Sequence, residues 1–208
     1  MFIARNIAWS YQRDQPLFTN LSFEIKPGEM CHLRGENGVG KTTLLRGLMG
    51  LLDLSCTEAS LFHKTDIKYF QANTSFLPAE SPGFFYHFSA QNNLKFFTHY
   101  SDTINIANLL TKWGLSHPYL QNTLNVGMFS TGMKKRLACA KLEVQKRALW
   151  LLDEPTHGLD QQGIALQQQL IMKHLASGGM VLYTSHTNVF TSLTSHTINL
   201  SDFQPSML

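Results

Sequence analysis

The chain has 208 residues, 43 % of them hydrophobic, which is the size of one domain, or a domain with a subdomain, around a sizeable core. That composition argues against two independent enzymes and against a disordered chain. A net charge of +3 is too mild for electrostatics alone to recommend nucleic acid as a partner.

Cys31, Cys56 and Cys139 are odd in number, widely spaced and without metal-ligand spacing, so neither a disulfide framework nor a zinc site is expected, and a reducing cytoplasm fits best. Residues 1–9 lack the apolar stretch and cleavage site of a signal peptide. Residues 44–54, the most apolar segment, are interrupted by Arg46, Gly47, Gly50 and Asp53, far short of the roughly twenty residues that span a bilayer. Work at a membrane is therefore expected from outside it.

In chain order, Met30-Cys31-His32-Leu33 is an apolar run before a glycine-rich turn. Leu44, Leu45, Leu48, Met49 and Leu52 then share one helical face. The region from 57 to 121 is rich in Phe, Asn, Ser and His and shows no clear period until residues 92–100, which predicts an inserted, mainly helical subdomain. The run Ala148-Leu149-Trp150-Leu151-Leu152 ends in Asp153-Glu154. Residues 161–176 read as a helix with Ile164, Ile171 and Leu175 on one face, and Met180-Val181-Leu182-Tyr183 ends in Thr184-Ser185-His186. Buried strands alternating with helices predict an α/β fold with a parallel sheet, whose ligands collect at the carboxyl ends of the strands, where the conspicuous polar residues fall.

Gly35-Glu36-Asn37-Gly38-Val39-Gly40-Lys41-Thr42 matches GxxxxGK[ST] between a strand and an amphipathic helix. The glycines let successive N–H groups face a phosphate, and the following helix, through Thr43, adds its positive end. Lys41 supplies a charge for the β- and γ-phosphates, and Thr42 a hydroxyl for Mg²⁺. The acids are the second half of the site: Asp153 would hold Mg²⁺ through water and Glu154 would act as general base, unless the pair merely caps the next helix. Asp160-Gln161-Gln162-Gly163 matches a GTPase-like DxxG, but no NKxD motif accompanies it, so the match is read as coincidence.

Over nearly all of its length the chain resembles the ATP-binding subunits of ABC transporters. The resemblance implies a phosphate-loop NTPase fold of that type, a single ATP-binding domain over residues 1–208 with its helical subdomain at about 82–145. It also implies ATP and Mg²⁺ as cofactors. Residues 17–23 look like that family's second strand, before Pro27-Gly28-Glu29. Tyr11 takes the place of the aromatic that stacks on adenine, with a surface strand tyrosine as the rival reading. Ser130-Thr131-Gly132 stands where the signature LSGGQ opens a helix, which makes Ser130 and Gly132 candidate γ-phosphate contacts across a dimer. His157-Gly158-Leu159-Asp160 resembles the loop at which two subunits touch. His186 resembles the γ-phosphate-sensing histidine; taken alone it reads as a core histidine at a strand end, and the acids upstream favour the switch.

Two departures stand out. Phe129-Ser130-Thr131-Gly132-Met133 lacks the first glycine and the glutamine of the signature, and near Phe76-Leu77-Pro78-Ala79-Glu80 the expected Mg²⁺-coupling glutamine is missing, leaving Glu80 as the substitute metal ligand. Among compact members the likeness is to the haem-exporter ATPases of cytochrome c biogenesis, carried by residues 33–46, 149–155 and 178–182; the signature region is also similar to multidrug and antibiotic exporters. The resemblance implies an ATP hydrolase on the cytoplasmic face of the inner membrane, peripheral to it. Its implied partners are a membrane-spanning subunit and a second, identical ATP-binding subunit, with no nucleic acid. A soluble ABC protein acting on ribosomes or DNA and an ATP-binding scaffold with little hydrolysis are the competing readings. The aromatic cluster Phe84, Phe85, Tyr86, Phe88, Phe96 and Phe97 is either core or a docking patch for the membrane subunit.

Overall fold

A computed structural model describes residues 1–12, 15–80, 83–98, 104–186 and 189–205, without the side chains of Tyr11 and Gln12. The chain divides into two compact units. The first takes Met1–Pro78, Arg147–Pro155 and Met172–Leu208, and the second Ala79–Lys146 and Thr156–Ile171.

In the first unit, strands β1 (Phe2–Gln12), β2 (Gln15–Ile25) and β4 (Glu58–Leu61) form an antiparallel sheet in the order β2-β1-β4. Strands β3 (Met30–Arg34), β5 (Thr74–Leu77), β6 (Leu149–Leu152), β7 (Met180–Thr184) and β8 (His196–Asn199) form a parallel one in the order β5-β6-β7-β3-β8. Every residue of β6 and β7 is buried, which is why these strands read as unbroken apolar runs rather than alternating ones. Pairing of Leu149 with Met180 and of Met30 with Val181 brings the carboxyl ends of β3, β6 and β7 to one edge. A shared core joins both sheets, with Phe2, Ile7, Phe18 and Ile25 from one and Leu33, Leu151 and Leu182 from the other, and Leu44 and Leu45 of helix α1 (Lys41–Leu48) packed in. The helix ends at Leu48, with Met49 as its cap and Gly50 at φ +70°, so Leu52 belongs to the following loop and not to the helical face expected for it.

The expected helical insert begins later than its composition suggested. Strand β4 pairs with β1, and β5, which follows helix α2 (Ile67–Asn73), pairs with β6 through Leu77 and Leu152. Both strands have only four residues, too few for a period to show, and pairing with strands distant in sequence defines them.

The second unit is helical: α3 (Ala90–Phe97), α4 (Ile106–Lys112), α5 (Pro118–Asn122), α6 (Thr131–Gln145) and the part of α7 (Gln161–Ala176) up to Ile171. Ser89 and Asn105 cap α3 and α4 by accepting the N–H groups of Asn92 and Asn108. Leu94, Leu110, Trp113, Leu137 and Leu142 are buried. The fully buried Asn93 spends its carboxamide on backbone, accepting from Phe85 N–H and donating to the carbonyls of Phe85 and Ser89, and so holds the aromatic loop in shape. On α7 the buried face is Gly163, Gln167, Leu170 and Ile171, while Ile164 and Leu175 are only half-buried. The expected stripe was displaced because Gln167 is admitted to the interior by donating to the buried Cys139 Sγ at 3.2 Å.

His174 stacks on Trp150 of β6 with ring centres 3.7 Å apart and planes 3° apart, its Nε2 3.3 Å from the Met180 carbonyl. Burial pushes this imidazole down to about 4 from its ordinary 6.5. The unfolded chain therefore binds the proton first on acidification: the stability held above pH 6.5 falls as the pH drops toward 4, by on the order of 2–3 kcal/mol. His174→Phe, which keeps the stack and cannot titrate, is expected to flatten this part of the stability profile, measured by denaturant unfolding at a series of pH values.

Candidate nucleotide site at the strand ends

Gly40 ends the loop after β3 and begins α1. It lies at φ +106°, a backbone angle that demands glycine, and a Cβ there would also press on the Leu17 side chain at 2.5 Å. As N-cap it offers no side chain, so the first N–H groups of α1 have no capping acceptor, the usual setting for an anion. Lys41 is nearly buried, and its Nζ donates to the carbonyls of Gly35 and Glu36 at 2.8 and 2.9 Å, folding the loop over its own ammonium group. Glu36, Asn37 and Gly38 are exposed at the loop crown, Val39 packs into the core, and Thr43 is half-buried.

Asp153, only 2 % exposed at the end of β6, is the hub. Its Oδ2 accepts from Thr42 Oγ1 at 2.8 Å and its Oδ1 from Thr184 Oγ1 at 2.7 Å, while its own N–H donates to the Leu77 carbonyl at the end of β5. Thr42 and Asp153 thus present a hydroxyl and a carboxylate to one point, the hard oxygen donors that suit Mg²⁺. Glu154 has φ +44°, a left-handed backbone that costs a non-glycine residue roughly 1–2 kcal/mol. Its N–H donates to Thr184 Oγ1 at 3.0 Å, which pins it there. The Glu154 carboxylate is met twice by His186: the ring Nε2 lies 3.4 Å from Oε1, and the His186 backbone N–H donates to Oε2 at 3.4 Å. The His186 side chain is 56 % exposed, which removes the core-histidine reading.

Thr184, for which the sequence suggested no role, links Asp153 to Glu154 by serving both. The available signal was its place as the first polar residue after a buried run on the strand beside β6. The side chain of Tyr11 lies outside the described residues, so its stacking role has no geometry to weigh.

Ser130, Gly132 and Glu80 belong to the second unit. Ser130 caps α6 by accepting the Met133 N–H at 3.2 Å, and its hydroxyl keeps a proton to donate. A Cβ on Gly132 would lie 2.7 Å from the Gly158 carbonyl, so the start of α6 and the loop at Gly158 touch backbone to backbone. Arg136 Nη2 meets both carboxylate oxygens of Asp160, at 2.7 and 2.9 Å. Asp160 also caps α7 by accepting Gly163 N–H, and that bond, with the guanidinium, holds its carboxyl below the ordinary range. These groups line a polar cleft of about 340 Å³. Capping is what Asp160 and Gly163 do here, which accounts for the DxxG match without a nucleotide. Glu80 is exposed near the beginning of this unit.

The family profile described as "ABC transporter" matches residues 18–157. The chain is similar to the cytochrome c biogenesis ATP-binding export protein CcmA of Vibrio vulnificus (strain CMCP6), 36 % identical over 187 residues, 86 % of this chain and 88 % of that one. The protein of the same name from Legionella pneumophila is 35 % identical over 181 residues, 85 % and 88 % of the two chains. Among solved structures, one titled "Structure of ATP binding subunit of ABC transporter" superposes with a TM-score of 0.82 over 96 % of this chain and 85 % of that one, at 19 % identity. The cbiO1 protein of Clostridium perfringens, part of the ABC transporter complex cbiONQ, superposes with a TM-score of 0.74 over 95 % and 83 %, at 22 % identity. The two structures bear on the fold alone.

Lys41→Ala removes the ammonium group and leaves the loop N–H groups in place. It is expected to weaken ATP binding about 100-fold, the loss of one to two charge-assisted hydrogen bonds, measured by titration calorimetry.

Proposed function

As the chain belongs to the ABC transporter family of ATP-binding proteins and is an ATP-hydrolysing subunit of that kind, we propose that it powers an export step of cytochrome c biogenesis, with haem as the cargo. The observation that carries the chemical part of this reading is the hydrogen-bonded set Thr42, Asp153, Thr184, Glu154 and His186 beside the Lys41 loop. The names of the relatives carry the biological part.

The mechanism follows from what each group can do. Lys41 leaves the Gly35 and Glu36 carbonyls for the β- and γ-phosphates of ATP, and the N–H groups at the start of α1 hold the phosphate oxygens. Thr42 and Asp153 would hold Mg²⁺, which supplies charge neutralisation on the phosphates when bound. Glu154 takes a proton from the attacking water as general base, with His186 orienting its carboxylate and reaching the γ-phosphate. Ser130 and Gly132 complete the site of a second copy of the chain, the hydroxyl and the N–H groups of the α6 terminus facing that copy's γ-phosphate. ATP then favours the closed pair because only that form makes both sets of contacts, and hydrolysis removes the group that both halves grip.

Among the described residues no helix is long and apolar enough to cross a membrane, and ABC ATPase subunits work with membrane subunits. We infer a peripheral position on the cytoplasmic face of the inner membrane, docked through the aromatic loop. Phe84 is buried, whereas Phe85, Tyr86, Phe88 and Phe96 are each at least 40 % exposed. Phe85 packs on Phe96 and Phe88 with ring centres 4.8 and 5.5 Å apart, so these rings form one surface. Such an apolar patch, rimmed by Lys134 over the Tyr86 ring, suits the cytoplasmic helix of a membrane subunit.

Two experiments test the proposal. Glu154→Gln is expected to bind MgATP and to accumulate as a closed dimer, seen as a doubled mass by light scattering with ATP and not with ADP. Hydrolysis at the wild-type rate would remove Glu154 from its role, and nucleotide binding without dimer in the membrane complex would favour the scaffold reading. Combined Phe85→Ser and Phe88→Ser is expected to release the chain from membranes of its own cell while ATP binding stays unchanged, followed by membrane fractionation; full retention would exclude the patch.

A further inference from the structure

His32 lies in the middle of β3, 5 % exposed, with its ring stacked on Tyr183 of β7 at 4.3 Å and 13°. Tyr183 is itself fixed by a 2.8 Å hydrogen bond between its hydroxyl and Thr194. The His32 Nε2 is 3.2 Å from the Ser185 carbonyl. A carbonyl can only accept, so Nε2 carries hydrogen and donates. That carbonyl belongs to the same planar peptide as the His186 N–H, which points the other way and donates to Glu154 Oε2 at 3.4 Å. One rigid plane thus has His32 at one end and the Glu154 carboxylate at the other. Turning the plane would withdraw the N–H from Oε2 and swing the His186 ring, now 3.4 Å from Oε1, away from the other oxygen.

We propose that His32 is a positioning residue for hydrolysis: by donating to the Ser185 carbonyl it sets the Ser185–His186 peptide so that His186 meets Glu154 with both its N–H and its ring. Donation to the carbonyl also polarises the peptide and strengthens its N–H as a donor to the carboxylate. His32 acts through the peptide. The inference rests on the reading of Glu154 as general base.

Two variants separate this role from packing. His32→Phe keeps an aromatic ring on Tyr183 and loses the donor, and His32→Gln returns an N–H at the reach of Nε2. On the full chain, His32→Phe is expected to speed hydrogen exchange of the His186 amide about tenfold and to lower kcat for ATP hydrolysis about tenfold, with KM within about twofold of wild type. His32→Gln is expected to restore both. The proposal is overturned if His32→Phe leaves either quantity at its wild-type value, if His32→Gln is as impaired as His32→Phe, or if exchange rises equally along β3 and β7, which is general loosening. Failure of the base assignment is read separately, by Glu154→Gln hydrolysing at the wild-type rate while the His32 variants still change the His186 amide.

Discussion

A single buried carboxylate holds the strand ends of the first unit together. Asp153 accepts hydroxyls from α1 and β7 and sends its N–H to the end of β5, so four elements meet on one residue that is 2 % exposed. A carboxylate so removed from water is tolerable only when its oxygens are hydrogen-bonded, and Thr42 and Thr184 do this. The consequence reaches beyond Asp153. With Thr184 committed to Asp153, its oxygen also receives the Glu154 N–H and keeps that residue in its left-handed conformation. From that backbone the carboxylate of Glu154 stands 3.4 Å from His186 Nε2.

The second unit has its own fixed point, made differently. Backbone contact between Gly132 and Gly158, together with the ion pair of Arg136 and Asp160, makes the start of α6 and the loop before α7 one piece. A Cβ on Gly158 would come within 3.1 Å of the Thr131 methyl. Thr131 occupies the place where the family signature has glycine, so the added side chain is accommodated by the absence of one opposite. The departure in the signature therefore leaves the capping geometry of Ser130 intact.

Much of this was readable in the sequence, for a physical reason: the phosphate loop and the acids after β6 are local, with every residue type fixed by its neighbours. The three long-buried strands were legible because burial on both faces writes an unbroken apolar run. Strands β4 and β5 were not, since four residues carry no period and partners far along the chain define them. Thr184 and His32 were silent because a threonine or histidine in a strand has many uses, and only register shows which group lies opposite. The aromatic cluster could not be divided into core and surface from composition, since the buried Phe84 and the exposed Phe85 are adjacent and identical. The stripe of α7 misled because a buried glutamine that donates to a thiol looks polar in the sequence.

A structure of the full chain with a non-hydrolysable ATP analogue and Mg²⁺ tests most directly whether the hub at Asp153 and the Lys41 loop form one ATP site. In it Lys41 Nζ is expected on the terminal phosphates, away from the Gly35 and Glu36 carbonyls, with the metal ion held by Thr42 and Asp153. A nucleotide bound while Lys41 still rests on both carbonyls, or a metal ion held away from Thr42 and Asp153, would contradict a single ATP site.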